Sequence, residues 1–247
     1  MPDIEALTRQ LETGSHHQRS DAALALGRSG DPGVIPALIV ALCTDRDLNV
    51  IEDVTWALTR FGSMLIQNLF DAYADANSYG RHNIVHALGK IGDPTASHAL
   101  ITSLRDIDKK VRAKAVFVLG QIGIAEAVPA LIDRLADDDE NVRWTTFETL
   151  TLPVMNAGPA LTEALNRTEE VIRESAARAV GALRYEAAVP ALIATLDDES
   201  FEVRSAALEA LAHLLHNPDA RAALESAGSH PDAPTRAYAS ALFKRLS

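Results

Sequence analysis

The chain has 247 residues and a formal net charge of −11, and an acidic surface of this kind repels phosphate backbones and disfavours non-specific binding of nucleic acid. It is 47% hydrophobic but only 5% aromatic, and its single cysteine, Cys43, excludes a framework of intramolecular disulfide bonds. Because no stretch approaches about 18 consecutive apolar residues, and the opening MPDIEALTRQL has no cationic segment before an apolar one, we expect a cytoplasmic protein with no membrane partner.

Two apolar positions recur along the chain with a period of 30 to 32 residues. One falls at Leu26, Leu58, Leu88, Leu119, Leu150, Val180 and Leu211, and the other at Leu7, Leu38, Leu69, Leu100, Leu131, Leu161, Leu192 and Leu224. Two such positions per period predict two helices in each repeat, and a repeat of this size must stack on its neighbours to bury its apolar face. The sequence therefore predicts an all-α fold, an α-α superhelix of about eight helix pairs that forms one solenoid domain over residues 1–247.

Glycine and proline mark the boundaries of the predicted helices in chain order. The turns Gly30-Asp31-Pro32 and Gly92-Asp93-Pro94 end one repeat and begin the next. A proline in the first turn of the first helix recurs at Pro36, Pro129, Pro159 and Pro190. The pattern changes after Pro218, so residues 217–247 are predicted to form an atypical C-terminal cap.

An aspartate precedes an arginine by six residues in four repeats: Asp75/Arg81, Asp106/Arg112, Asp137/Arg143 and Asp198/Arg204. The acid would lie in the turn, and the arginine in the first turn of the second helix would reach the turn of a neighbouring repeat. We expect a structural ladder of charge-assisted hydrogen bonds between repeats. The pattern is interrupted at Asp45/Ile51 and Arg167/Arg173, where looser junctions are expected.

This repeat pattern resembles the HEAT-like repeats of the phycobilisome-lyase type, most closely over residues 104–131 and 196–211. The resemblance extends over about eight repeats. It implies a curved right-handed solenoid in which the second helix of each pair lines the concave side. Members of this group include bilin-attachment subunits, scaffold proteins and a di-iron hydroxylase of a translation factor, so the resemblance predicts the fold and does not choose a function.

The second helix of each repeat contains the apolar position that runs from Leu26 to Leu211, here called the ladder residue. The positions six and two residues before the ladder residue point away from the predicted core. In the middle repeats they hold aromatic rings and histidines, which predicts a concave groove for another protein or peptide. The predicted groove residues are Trp56, His82, His86, Phe117, Trp144 and Glu148. Asp53 and Asn83, one position later on their helices, would form a polar rim. The alternative is that the rings pack on one another and fill the groove.

His82 and His86 are one helical turn apart, a spacing that can hold a metal ion. The sequence lacks the His-Glu pairs that the di-iron relatives use, so we expect no metal site, and these two histidines are the candidates if one exists. No nucleophile or phosphate-binding motif is present, so no catalytic residue and no cofactor are expected. The preferred function is a non-enzymatic protein-binding scaffold or adaptor. A bilin-lyase-type chromophore-binding subunit, with a bilin in the groove, and a metal-binding HEAT-repeat enzyme are the alternatives.

Overall fold

The computed structural model describes residues 3–246 as helices joined by short turns, with no strand in that range. Met1, Pro2 and Ser247, at the ends of the predicted domain, lie outside the described residues. The chain forms two compact units, Met1–Gly123 and Ile124–Ser247, which we call the N-terminal and C-terminal units. The all-α class and the pairing of helices are confirmed, whereas a single domain over residues 1–247 stays a prediction.

The N-terminal unit contains four helix pairs. Its first helices are α1 (Ile4–Thr13), α3 (Ile35–Thr44), α5 (Ile66–Asp75) and α7 (Ser97–Ser103), and its second helices are α2 (His16–Ser29), α4 (Leu48–Thr59), α6 (Ser78–Ile91) and α8 (Lys109–Ile122). The second helices pack on one another in chain order, α2 on α4, α4 on α6 and α6 on α8. This stacking places the exposed sides of consecutive second helices next to each other on one surface.

The C-terminal unit repeats the arrangement. Its first helices are α9 (Val128–Arg134), α11 (Gly158–Ala164), α13 (Val189–Thr195) and α15 (Pro218–Ala227), and its second helices are α10 (Glu140–Leu150), α12 (Glu170–Ala182), α14 (Phe201–His213) and α16 (Ala233–Leu246). Residues 217–247, expected to form an atypical cap, contain the helix pair α15 and α16, and α16 packs on α14. No helix within residues 3–246 has both the length and the apolar character needed to cross a bilayer.

The two predicted leucine ladders lie in the buried core. Every member of the second-helix ladder, from Leu26 to Leu211, is at most 1% exposed. The first-helix ladder is buried in the same way except at Leu7, which is half-buried. Leu7 lies on α1, which packs against α2 and α3.

At several junctions an arginine of the second helix joins one repeat to the next. Arg173 donates from Nη1 to the carbonyl oxygens of Arg167 and Thr168, in the turn before its own helix, at 3.0 and 2.8 Å. It also donates from Nε and Nη2 to the carboxylate of Asp198 in the following turn, at 2.7 and 3.0 Å. Burial raises the pKa of Asp198, but the hydrogen bonds from Arg173 and from the backbone of Ser200, together with the positive charges of Arg173 and Arg204, outweigh that effect and hold the pKa below its ordinary value. The predicted ladder is confirmed at this junction.

Three further junctions have the same ion pair: Arg19 with Asp45, Arg81 with Asp106 and Arg204 with Asp232. The rung between α4 and α6 is missing because Ile51 and Ala76 stand at the arginine and acid positions. The expectation for Asp75 is wrong by one residue. Asp75 is exposed, and Arg81 donates instead to the carbonyl oxygen of Ala76.

The interruption of the pattern at Arg167/Arg173 does not affect Arg173, which forms an ion pair with Asp198. Arg167 stands at the acid position of its repeat and forms an ion pair with Asp133 at 3.1 Å, across to the first helix of the preceding repeat. The junction expected to be loose therefore has a different ion pair, between more exposed side chains.

Replacing Arg173 by glutamine tests the ladder. The side chains of Arg173 and Asp198 are only 9% and 11% exposed, so the variant leaves a nearly buried carboxylate without its cation. We expect the free energy of unfolding at pH 7, measured by urea denaturation, to fall by about 3 kcal/mol. The control is Arg178→Gln on the same helix, whose ion pair with Glu174 is 52% and 25% exposed and whose loss should be below about 1 kcal/mol. Equal losses in the two variants would contradict the ladder.

Candidate functional site

The second helices expose the bulky side chains that the sequence places on their outward positions. In the N-terminal unit, Trp56 and Phe117 are 40% and 55% exposed, and His82 and His86 are half-buried. In the C-terminal unit, Trp144 is 64% exposed. The expected helical register is therefore correct for these side chains, while their binding role stays a prediction.

Helices α4, α6 and α8 contribute to one surface, the N-terminal face, formed by Trp56, His82, His86, Lys114 and Phe117. On this face His86 Nε2 of α6 lies 3.2 Å from Oε1 of Glu52 on α4. The two atoms are within ion-pair distance, but they lack the alignment of a hydrogen bond. Burial lowers the pKa of both histidines, and the ammonium group of Lys114 on α8 lowers it further. Side chains from three helices thus interact electrostatically at this surface.

Cations lie beside both aromatic rings of the N-terminal face. The guanidinium carbons of Arg28 and Arg60 are each 5.7 Å from the centroid of the Trp56 ring. Lys114 Nζ lies 5.7 Å from the centroid of the Phe117 ring. Contacts of this type contribute about 0.5–1 kcal/mol at exposed sites. They order the rings although both remain substantially exposed.

The two residues expected at the polar rim have different environments. Asp53 is half-buried and accepts a hydrogen bond from the hydroxyl of Ser20 on α2. Asn83 is only 6% exposed, and its Nδ2 donates to the carbonyl oxygen of Leu42 at 3.0 Å. The expectation that Asn83 lines a binding surface is therefore wrong. Helix α6 also packs on α3, and this contact covers the side of α6 that carries Asn83.

Like charges crowd the N-terminal face. Burial lowers the pKa of Lys114, and repulsion from Lys90 lowers it more than attraction to Glu52 raises it. For His86, burial and repulsion from Lys114 likewise exceed the attraction to Glu52. The half-buried groups of this face therefore lack sufficient anionic partners to favour their charged forms.

The C-terminal unit has a separate exposed aromatic pair on α10. Trp144 and the half-buried Phe147 border an open hollow of about 870 Å³ between α10 and α12. The other residues of its lining are polar or charged: Glu140, Asn141, Arg143, Glu174, Ser175 and Arg178. Glu148 is exposed but does not line the hollow. Phe147 was not predicted, although its spacing of three residues from Trp144 places the two rings on one side of the helix.

The two histidines lack the surroundings of a metal site. His82 Nδ1 lies 3.5 Å from Oδ1 of Asn83, and His86 Nε2 faces one carboxylate, that of Glu52. In the part of the chain that the structure describes, no group of three or more His, Cys, Asp or Glu side chains is arranged to bind a metal ion.

Trp56→Ala and Trp144→Ala test whether the two indoles belong to the surface. Because both rings are well exposed, we expect each variant to lose less than about 1.5 kcal/mol in free energy of unfolding by urea denaturation. The control is Leu58→Ala on α4, whose fully buried side chain should cost about 2–5 kcal/mol. Losses in the tryptophan variants as large as that of Leu58→Ala would assign the indoles to the core.

The lowered pKa values of His82 and His86 make stability depend on pH. Their folded pKa values lie below the ordinary value of about 6.5, so the unfolded chain binds protons more readily. Their contribution is therefore complete above about pH 6.5 and is lost as the pH falls below it. We expect a lower melting temperature at pH 5.5 than at pH 7.5, and His82→Gln/His86→Gln should reduce the difference.

The control for this experiment is His16→Gln/His17→Gln at the exposed start of α2, which should leave the pH dependence unchanged. The range from pH 5.5 to 7.5 lies above the pKa values of the ladder aspartates, which are held below their ordinary value, so those groups stay ionised. A pH dependence as large in the His82/His86 variant as in the wild type would contradict the assignment.

Comparison with known proteins identifies the repeats. The family model for HEAT repeats matches residues 97–152 and 158–242, which is more than half of the chain, and the model for the PBS lyase HEAT-like repeat matches residues 18–42. No curated protein sequence matches the chain.

Three solved structures are similar to this chain. Human deoxyhypusine hydroxylase is 22% identical, with 99% of this chain and 96% of that chain covered and a TM-score of 0.42. The complex of CpcE and CpcF of phycocyanin lyase from Nostoc sp. is 21% identical, with coverage of 100% and 96% and a TM-score of 0.43. Importin beta is 17% identical, with coverage of 98% and 40% and a TM-score of 0.55, a likeness of fold alone. With its helix pairs and the matched repeat models, the chain belongs to the HEAT-repeat family.

Proposed function

We propose that this chain is a non-enzymatic scaffold or adaptor that binds another protein through the exposed aromatic side chains of its second helices. The observation that carries the proposal is the exposure of Trp56, Phe117 and Trp144, at 40%, 55% and 64%. The matching positions of α12 and α14 hold only charged or small polar residues: Glu174, Arg178, Ser205 and Glu209. The aromatic residues are thus an addition to the repeat rather than a requirement of its packing.

The chemistry of the N-terminal face supports a protein partner. Two arginines lie beside the ring of Trp56, and tryptophan and arginine are enriched among the residues that dominate binding energy at protein interfaces. Around the rings are polar side chains that are already ordered, such as Asp53, which is bonded to Ser20. An ordered aromatic centre with a polar edge loses little conformational entropy when a partner binds.

The test begins with the native partner, identified by crosslinking in the source cells and mass spectrometry. Its dissociation constant is then measured for the wild-type chain, for Trp56→Ala/Phe117→Ala and for Trp144→Ala. We expect at least one aromatic variant to weaken binding tenfold or more, which corresponds to about 1.4 kcal/mol or more. Comparing the Trp56→Ala/Phe117→Ala variant with the Trp144→Ala variant shows which surface takes part.

The controls remove exposed aliphatic side chains of similar accessibility elsewhere. Val40→Ala on the first helix α3 and Val154→Ala in the turn before α11 each alter a residue that is 57% exposed. Both should leave the dissociation constant within about twofold of wild type. Binding that resists every aromatic substitution, or that falls equally in the controls, would contradict the proposal.

A chromophore-binding subunit is the second candidate, and the match of residues 18–42 to the PBS lyase HEAT-like repeat favours it. In that case the ring of Trp56 would stack on a tetrapyrrole, and His82 and Lys114 would contact its propionates. Titration with biliverdin, followed by absorption spectroscopy, separates the two candidates. A shifted and intensified visible band that is lost in Trp56→Ala would favour the chromophore, whereas an unchanged spectrum favours the scaffold.

A further inference from the structure

The second helices α6 and α8 have a charge opposite to that of the chain. Helix α6 contains Arg81 and Lys90, helix α8 contains Lys109, Lys110, Arg112 and Lys114, and neither helix contains an aspartate or glutamate. The whole chain has 34 acidic and 23 basic residues. Two adjacent helices without a single acid are therefore a local exception, and they are packed directly against each other.

Two of these six cations serve the fold. Arg81 donates to Asp106 and to the carbonyl oxygen of Ala76, and Arg112 donates to the carbonyl oxygens of Asp106 and Ile107. Lys90 and Lys110 are exposed, and Lys114 is half-buried beside the ring of Phe117. These lysines take no part in the arginine ladder. They give the α8 side of the N-terminal face its cationic character.

We propose that the N-terminal face binds an acidic peptide segment of the partner protein, with carboxylates against Lys110, Lys114 and His82 and an apolar side chain on the ring of Phe117. This inference rests on the proposed function and specifies the chemistry of the partner. The charge complementarity is local, because the face is cationic within an acidic chain. Carboxylates from a partner would offset the repulsion that Lys114 experiences from Lys90 and that His82 experiences from Lys114 and Lys110.

Acidic side chains on α4, at one edge of the same face, determine the direction in which the peptide binds. Glu52 lies beside His86, and Asp53 lies next to it on α4, so this edge repels carboxylates. The acidic residues of the segment therefore lie toward α8, and its apolar residues lie toward Trp56. A nucleic acid has a charge at every phosphate and would meet this acidic edge, which is why the observations favour a peptide.

The experiment uses the full chain and a fluorescent 12-residue peptide of alternating glutamate and leucine, with binding followed by fluorescence anisotropy. A matched peptide with lysine in place of glutamate and a fluorescent oligothymidylate are the comparison probes. We expect the acidic peptide to bind at least tenfold more tightly than either one. Equal or tighter binding of the lysine peptide or of the oligonucleotide would overturn the proposal.

Charge reversal locates the site. Lys110→Glu/Lys114→Glu should weaken binding of the acidic peptide at least tenfold. Arg9→Glu/Arg105→Glu, which changes the net charge by the same amount at exposed residues of α1 and of the turn after α7, should change it less than twofold. Lys110→Glu alone, at an exposed position, should still weaken binding severalfold if the double variant is unstable by circular dichroism. Equal effects of the two double variants would show that only overall charge matters and would overturn the site.

Acidification gives a second readout. The charged groups that face the histidines are Glu52 on α4, Lys90 on α6, Asp108 in the turn before α8, and Lys110 and Lys114 on α8. A bound carboxylate favours the protonated imidazoles, so the acidic peptide should bind severalfold more tightly at pH 5.5 than at pH 8. His82→Gln/His86→Gln should abolish this change. Wild-type binding that stays flat or weakens on acidification would exclude the histidines from the site.

The native partner separates failure of this inference from failure of the proposed function. If Trp56→Ala/Phe117→Ala weakens that partner while Lys110→Glu/Lys114→Glu does not, the acidic segment is wrong and the scaffold function stands. If neither variant weakens it, the N-terminal face is not the binding surface and both are wrong for this unit.

Discussion

Close contact between successive second helices fixes the rotation of each helix about its own axis. A Cβ atom on Gly27 of α2 would lie 2.6 Å from the Cα atom of Ala57 on α4. In the C-terminal unit, a Cβ atom on Gly181 of α12 would lie 2.7 Å from the Cα atom of Ala210 on α14. The two contacts occupy equivalent positions of the repeat, next to the ladder residue. Larger side chains there would separate the backbones, and the ladder residues would no longer interlock.

This rotation determines which residues reach the surface. On α4, Ala57 is held against Gly27 of α2 and the ladder residue Leu58 is buried, so Trp56, two residues before Leu58, points outward. The arginine ladder adds a second constraint, because Arg173 bonds both to its own turn and to Asp198 of the next repeat. The contacts between glycine and alanine set the distance between second helices, and the ion pairs between arginine and aspartate set the stagger between repeats.

Periodicity within the chain was sufficient to predict the helices, the buried ladders and the exposure of the two indoles. It was not sufficient for Asn83, because the periodicity of α6 does not reveal that α3 also packs on that helix and that Leu42 offers it a carbonyl oxygen. It also failed for Asp75, because the turn before α6 is one residue shorter: Arg81 donates to the carbonyl oxygen five residues before it, whereas Arg112 reaches six residues back. The approach of His86 to Glu52 depends on the stagger of α4 against α6, which no single-helix pattern contains.

The cations of the second helices have two different roles: some arginines hold the fold together, whereas lysines determine the charge of the surface. Arginines in the first turn of a second helix are satisfied by carbonyl oxygens and aspartates, so each such pair removes one positive and one negative charge from the surface balance. On α12 the remaining cation, Arg178, is paired with Glu174 on its own helix. On α6 and α8 the lysines have no acid on either helix, and the lowered pKa of Lys114 reflects its burial and its repulsion from Lys90. Burial and repulsion from neighbouring lysines disfavour the charged forms of His86 and Lys114 on the N-terminal face. An anion bound there would offset the repulsion and favour those charged forms.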